Sequence, residues 1–242
     1  MANNYFQFKQ FTIQQDKCAM KVTTDACLFG SHLPISSEEG GVGNVLDIGT
    51  GTGLLALMYA QRNPLAEIDA IEIDKEAAGQ AGENVAASPW PARINVIHAD
   101  AREFDYPKKY DVIISNPPFY ENELKGDDKK KNLAHHNEGL LLPELLNIIK
   151  KNLAPGGSFY LLLPYKRNEE IKKLLMEHEL AVRQITFVRQ SVMHDYFRMM
   201  IDGKPEAGKP AETKIDDISI KDENDRYTPE FTVLLQEYYL YL

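Results

Sequence analysis

Val45-Leu46-Asp47-Ile48-Gly49-Thr50-Gly51-Thr52-Gly53-Leu54 is the stretch on which the fold turns. Val45 to Ile48 is a short apolar run interrupted by one acid and reads as a buried strand. Leu54 to Arg62 reads as a helix stopped by Asn63-Pro64. Between them, glycines at alternate positions permit a sharp turn and let a ligand approach the backbone with no Cβ in the way. The helix N-terminus behind the turn offers free N–H groups to a carboxylate. Such a turn by itself also serves dinucleotide folds, or a purely structural bend. A dinucleotide fingerprint needs glycine at the third position after Gly51, and Leu54 stands there.

Outward from this turn, apolar runs alternate with amphipathic stretches, the pattern of parallel strands joined by crossover helices. Strands are expected at Ile68–Ile73, Ile94–Ile97, Asp111–Ser115 and Phe159–Leu163. Helices are expected at Lys75–Ala87, Leu140–Leu153 (closed by Pro155-Gly156-Gly157) and Arg167–His178. Val182–Val188 and Tyr196–Ile201 are two further β-prone runs, with a connection too short for a crossover helix, so they predict an antiparallel hairpin. Asp202–Lys214 is polar and rich in Pro, Gly and Lys and reads as a loop. Thr228-Pro229-Glu230 has the order N-cap, first-turn proline, early carboxylate, and Phe231, Leu234, Leu235 and Tyr238 follow at helical spacing. The expectation is an α/β sheet of seven strands, mostly parallel with an antiparallel C-terminal hairpin. It forms one domain, with residues 1–43 as an N-terminal extension, 44–201 as the core, and 202–242 as a loop and terminal helix.

With 43% hydrophobic residues, the 242-residue chain can fill a substantial core, yet no apolar run approaches the roughly 20 residues that span a bilayer. The N-terminus lacks a signal-peptide layout, and Cys18 and Cys27 form no metal-ligand pattern. A reduced cytoplasmic setting, with no membrane and no metal, is the expectation. Nothing in the sequence signals an oligomeric state. A net charge of −9 argues against indiscriminate nucleic-acid binding but allows a local basic surface. Lys125 with Lys129, Lys130 and Lys131, or Lys9, Lys17 and Lys21, are candidates, each also readable as a solvated face.

The order Gly-x-Gly-x-Gly, with Asp47 two residues before the first glycine, resembles the cofactor motif of class I methyltransferases, which implies S-adenosyl-L-methionine as the ligand. An acid ending the second core strand would accept hydrogen bonds from ribose hydroxyls, and Glu72 stands there about 20 residues past the glycines. Asp74 is equally a helix N-cap. Asp100, followed by Ala101, falls after the third core strand, where class I enzymes meet the adenine amine; alone it is equally a loop acid.

Asn116-Pro117-Pro118-Phe119 follows the fourth core strand, at the carboxyl edge where α/β sheets bind ligands. A rigid strand-ending turn is the bland alternative. The chemistry favours a clamp. A nucleobase or amide NH2 is a poor nucleophile, because its lone pair is delocalised. The Asn116 side-chain carbonyl can accept one of its N–H bonds and the Pro117 backbone carbonyl the other, holding the nitrogen in line with the methyl group. Phe119, with Tyr120, would stack on the ring.

The chain resembles the bacterial tRNA1(Val) adenine-N6-methyltransferase family nearly end to end. The likeness is carried by Phe6-Gln7-Phe8-Lys9-Gln10-Phe11, Gln15 to Val22, Thr24-Asp25, Ser88-Pro89-Trp90 and Tyr238-Tyr239-Leu240. It implies methylation of the adenine beside the anticodon of a valine tRNA, and an N-terminal segment folded over the cofactor with Thr24 and Asp25 near it. The chain departs from the family at Ala134-His135-His136, where relatives often carry Ala-Arg; a partly charged histidine holds RNA less strongly than arginine. A protein-glutamine methyltransferase shares the clamp logic but carries a sizeable helical domain ahead of the core. Here about 40 residues, read as β-prone and aromatic, precede the first core strand. A non-catalytic cofactor- or RNA-binding protein would not need the Asn116–Phe119 motif.

Overall fold

The computed structural model describes residues 3–35, 43–118, 139–205 and 212–242. Its centre is an eight-stranded sheet. Five parallel strands, β3 (Asn44–Ile48), β4 (Glu67–Glu72), β5 (Ile94–His98), β6 (Tyr110–Ser115) and β7 (Leu153–Pro164), are followed by β8 (Leu180–Ser191), β9 (Tyr196–Pro205) and β10 (Lys214–Lys221). The spatial order is β10-β8-β9-β7-β6-β3-β4-β5. β9 runs antiparallel to both β7 and β8, and β10 pairs parallel to β8. The expected parallel sheet and antiparallel hairpin are therefore present, with one strand more than the seven expected.

Helices α2 (Leu54–Arg62), α3 (Lys75–Ala86), α4 (Leu142–Asn152) and α5 (Asn168–Glu177) connect the strands. α4 and α5 cover one face, burying Leu145, Ile149, Ile171 and Leu175 against Ile113, Phe159 and Leu161. The other face carries α2, α1 (Thr24–His32) and the terminal α6 (Pro229–Leu235), which meet around Leu57, Tyr59, Phe29, Phe231 and Tyr238. α2 is buried from Leu54 to Ala60 because α1 lies on the side away from the sheet. Its C-terminal carbonyls are closed by Arg93, which donates to Ala60 O (2.9 Å) and Asn63 O (2.9 Å).

Three expectations need correction. The residues ahead of the core are not simply β-prone. A short hairpin of β1 (Tyr5–Gln7) and β2 (Thr12–Gln14) is followed by α1, capped by the Thr23 hydroxyl. α1 is buried continuously from Ala26 to Ser31, so it shows no polar stripe for a helical period to reveal. Asp202–Lys214 is not wholly a loop: β9 runs on to Pro205, and Lys214 starts β10. Third, Pro155-Gly156-Gly157 lies within β7, since the chain passes from α4 straight into the strand.

Gly203 on β9 faces Phe159 on β7, and a Cβ there would lie 2.3 Å from the ring, so only glycine fits the pairing. The N-terminal aromatics and the chain end pack on each other. Phe8 bridges to Tyr239, stacks on Phe11 at 4.5 Å, and Phe11 meets Trp90 edge-on at 5.9 Å. Three of the segments that carry the family resemblance, around Phe8, Trp90 and Tyr239, thus form one cluster.

Candidate active site

At the carboxyl ends of the parallel strands the order reverses between β3 and β6: β4 and β5 lie to one side, β7 to the other. Such a reversal opens a crevice in α/β sheets. Ile48 and Ser115 are opposite each other in the ladder, and the Ser115 hydroxyl donates to Ile48 O at 2.7 Å. The next residues in each strand are Gly49 and Asn116, so the glycine turn and the start of the clamp motif leave the sheet side by side.

The turn is built as its spacing demands. Gly49, Gly51 and Gly53 all have positive φ, at 72°, 56° and 82°. Gly49 N and Thr50 N both donate to Ile71 O, fastening the turn to β4. Among the described residues a Cβ added at Gly49 or Gly51 would meet nothing within 4 Å, which leaves room above the turn. Asp47 lies fully buried beneath it. Thr50 Oγ1 donates to Asp47 Oδ2 at 2.6 Å, the Ala56 backbone N–H faces the carboxyl from α2, and both oxygens are sealed from solvent. Burial pushes the Asp47 carboxyl up to about 7, against the lowering effect of the Thr50 bond.

Glu72 ends β4 and accepts from Gly51 N at 2.8 Å and Asp74 N at 3.0 Å. Asp74 takes the bland reading: its carboxylate accepts from Ala77 N at 2.8 Å and caps α3. Asp100 lies just past β5 with Ala101 buried behind it. Arg102 engages Asp100 with its whole fork, Nε to Oδ1 at 2.9 Å and Nη2 to Oδ2 at 2.6 Å, and its backbone N also donates to Oδ1. These bonds hold the Asp100 carboxyl below the usual carboxylate range. Arg102 was missed by sequence reasoning. Its only signal was a cation two residues after a candidate acid.

Thr24 and Asp25 open α1, and Asp25 pairs with Arg198 of β9 at 2.9 Å. Arg198 lies opposite Pro164, the last residue of β7, so this pair stands at the same carboxyl edge, toward β7 rather than over the glycine turn. Asn116 is half-buried, Pro117 buried and Pro118 exposed. Phe119 and Tyr120 lie outside the described residues, as do Lys125, Lys129, Lys130, Lys131, His135 and His136. The N-terminal lysines have internal ties: Lys9 to Gln236 O, Lys17 to Glu83 and Lys21 to Asn3 O. A further polar residue was not singled out in the sequence. Buried Asn84 of α3 donates to Thr52 O and Gln14 O and accepts from Gln14 N, joining the N-terminal hairpin to the glycine turn.

Residues 19–189 match the family profile described as Methyltransferase small domain. Two curated relatives both carry the name tRNA1(Val) (adenine(37)-N6)-methyltransferase. That of Parabacteroides distasonis is 42% identical, covering 99% of this chain and 99% of its own. That of Dyadobacter fermentans is 40% identical, covering 98% of each. The chain belongs to this family of methyltransferases. A solved structure, a "predicted O-methyltransferase" of Agrobacterium tumefaciens, is similar in fold at 19% identity, with a TM-score of 0.64 over 88% of this chain and 96% of its own. The family's donor, S-adenosyl-L-methionine, fits the described residues: room above a positive-φ glycine turn and a carboxylate at the end of β4. Among the described residues no helix is long and apolar enough to cross a membrane, and no cluster of three or more candidate ligands could hold a metal.

Proposed function

We propose that the protein methylates the exocyclic N6 of an adenine in tRNA, namely adenine 37 beside the anticodon of tRNA1(Val), and that it does so in the cytoplasm. The observation that carries this reading is the placement of Gly49 and Asn116 on adjacent strand ends, tied by Ser115. A donor held over the turn and an amine held by the clamp then meet without either strand moving.

S-adenosyl-L-methionine, when bound, supplies an electrophilic methyl group on a sulfonium. Gly49, Gly51 and Gly53 bring backbone rather than side chains to it. Glu72 accepts hydrogen bonds from ribose hydroxyls on lone pairs that Gly51 N and Asp74 N leave open. Asp100 would hold the adenine amine of the donor through a carboxylate oxygen, with Arg102 orienting it and Ala101 as the wall beside it. Thr24 and Asp25 border the site from α1, and the N-terminal extension closes over the donor within one methyltransferase domain. On the acceptor side, the Asn116 side-chain oxygen and the Pro117 carbonyl take the two N–H bonds of the target NH2. This restricts the nitrogen's rotation and favours pyramidal character as the new bond forms. Phe119 stacks on the target base outside its helical stack.

The test uses isotopically labelled donor with unmodified total tRNA and identifies the modified nucleoside by mass spectrometry. Labelled N6-methyladenosine is expected. Asn116→Ala should lose most of the transfer while keeping donor affinity; normal methylation by that variant would remove the assigned role.

A further inference from the structure

The acceptor half of the carboxyl edge carries a feature that the transfer reaction does not use. Tyr165, in the short turn after β7, meets Phe187 of β8 at 5.2 Å and Tyr196 of β9 at 5.4 Å, and Phe187 meets Tyr196 at 5.3 Å. All three rings are half-exposed. The Arg189 guanidinium lies over Tyr196, 5.3 Å from its centroid, fixed by bonds to Ser219 Oγ (2.7 Å) and Asp217 (2.6 Å). Beside them the β8–β9 turn holds Val192 and Met193 out to solvent, Met193 at 77% exposure. That turn is not slack. Ser191 Oγ bonds His194 Nδ1 and receives Met193 N, and Val192 N donates to Lys221 O.

We infer that this cluster is a docking platform for the unpaired nucleotides flanking the target adenine in an RNA loop. The inference rests on the RNA reading of the site. Aromatic faces together with a planar guanidinium are the chemistry that grips unstacked bases, while cations match the phosphates. Exposed Lys166 follows Tyr165 directly and supplies such charge, while the guanidinium of half-exposed Arg167 is paired with Glu170. Position also fits. From β6, which ends before Asn116, to β8 is three strand spacings, about 14 Å at 4.8 Å each. A base drawn out to Asn116 leaves its neighbours unstacked in that range.

The test is filter binding of the full chain to a synthetic unmodified anticodon stem-loop of tRNA1(Val) and to a paired RNA duplex of equal length, at one fixed salt concentration. Donor-site integrity is followed by calorimetry with S-adenosylhomocysteine. Tyr196→Leu keeps apolar volume but loses the ring, and should weaken stem-loop binding roughly tenfold, in the range of one stacked base. Tyr196→Phe should bind as wild type does. Met193→Asp, on a side chain with little to lose in folding, should weaken stem-loop binding also. Duplex binding and S-adenosylhomocysteine affinity should not change. Unchanged stem-loop affinity in Tyr196→Leu, or a parallel fall in S-adenosylhomocysteine affinity, overturns the platform. So does a change in oligomeric state in Met193→Asp with RNA affinity intact, which would make the patch a protein contact. Wild-type protein that grips the stem-loop through these residues yet methylates no adenine in it supports the platform and refutes the proposed reaction.

Discussion

Replacing Asp47 by Asn should flatten the pH dependence of stability in a defined window. The Asp47 carboxyl is wholly buried under the glycine turn, and burial raises it from 3.8 to about 7. Between those values the folded chain holds a proton that the unfolded chain has released. Unfolding then releases that proton, so stability falls as pH rises, by about 1.4 kcal/mol per pH unit in the middle of the window. This contribution is complete below the unfolded value and is lost as pH rises through the folded one. Integrated from pH 5 to pH 7, it amounts to about 2 kcal/mol. Asn at this position does not titrate and can still accept the Thr50 hydroxyl. The stability of Asp47→Asn minus that of wild type should therefore climb by about 2 kcal/mol over this interval and level off near pH 8. Urea unfolding followed by circular dichroism at pH 5, 6, 7 and 8 measures it. The donor is omitted because its positive charge would itself favour the ionised carboxylate. Titrating groups remote from Asp47 are common to both proteins and cancel in the difference. Parallel stability curves would show that Asp47 is ionised throughout and that the reasoning from burial is wrong.

Glu72→Ala removes the acceptor of Gly51 N and the proposed ribose contact. Donor affinity by calorimetry should fall about 10- to 100-fold, the worth of bonds to a charged group, and unchanged affinity would take Glu72 out of the site. Gly203→Ala forces a Cβ to 2.3 Å from Phe159 Cζ and 2.7 Å from Ala181 O, and the backbone oxygen cannot swing away. It should destabilise by about 3 kcal/mol in urea unfolding, and an unmoved midpoint would show that the β7–β9 pairing is looser than its register.

What was legible in the sequence follows from how each element is stabilised. β3, β4 and β6 lie buried between helix layers, so their apolar runs stand out whatever their neighbours. The glycine turn was legible because each glycine has positive φ, a backbone demand that leaves a mark on residue choice. β10 was hidden because its acids look like loop residues until their partners are known. Asp216 and Asp217 bond Gln184 and Arg189 on β8, and these pairs let an edge strand carry charge. α1 was hidden for the opposite reason, being buried on every side. Among the site residues, Glu72 and Asp47 were found by position relative to strand ends. Arg198 and Asn84 act through contacts across the fold, and no local pattern announces them; Arg102 is local to Asp100, but a cation two residues after an acid is too common a pair to stand out.

The topology also explains why the two halves of the candidate site stay in register. Asp47 to Gly53 and Ser115 to Pro117 are remote in sequence, and no loop joins them directly. They meet because β3 is the strand on which the order reverses, with β4 on one side and β6 on the other. The Ile48–Ser115 pairing fixes how far each chain has travelled when it leaves the sheet, and the Ser115 hydroxyl clips the last carbonyl of β3 to β6. A one-residue slip in β6 would turn Asn116 to the opposite face and bury Asp111 against the core. That slip is opposed by the polar contacts at the two ends of the strand, where Asp111 Oδ2 accepts from Asn44 N at 3.0 Å and Ser115 Oγ donates to Ile48 O at 2.7 Å. The placement of Asn116 relative to the glycine turn is thus set by the register of the two strands beneath them.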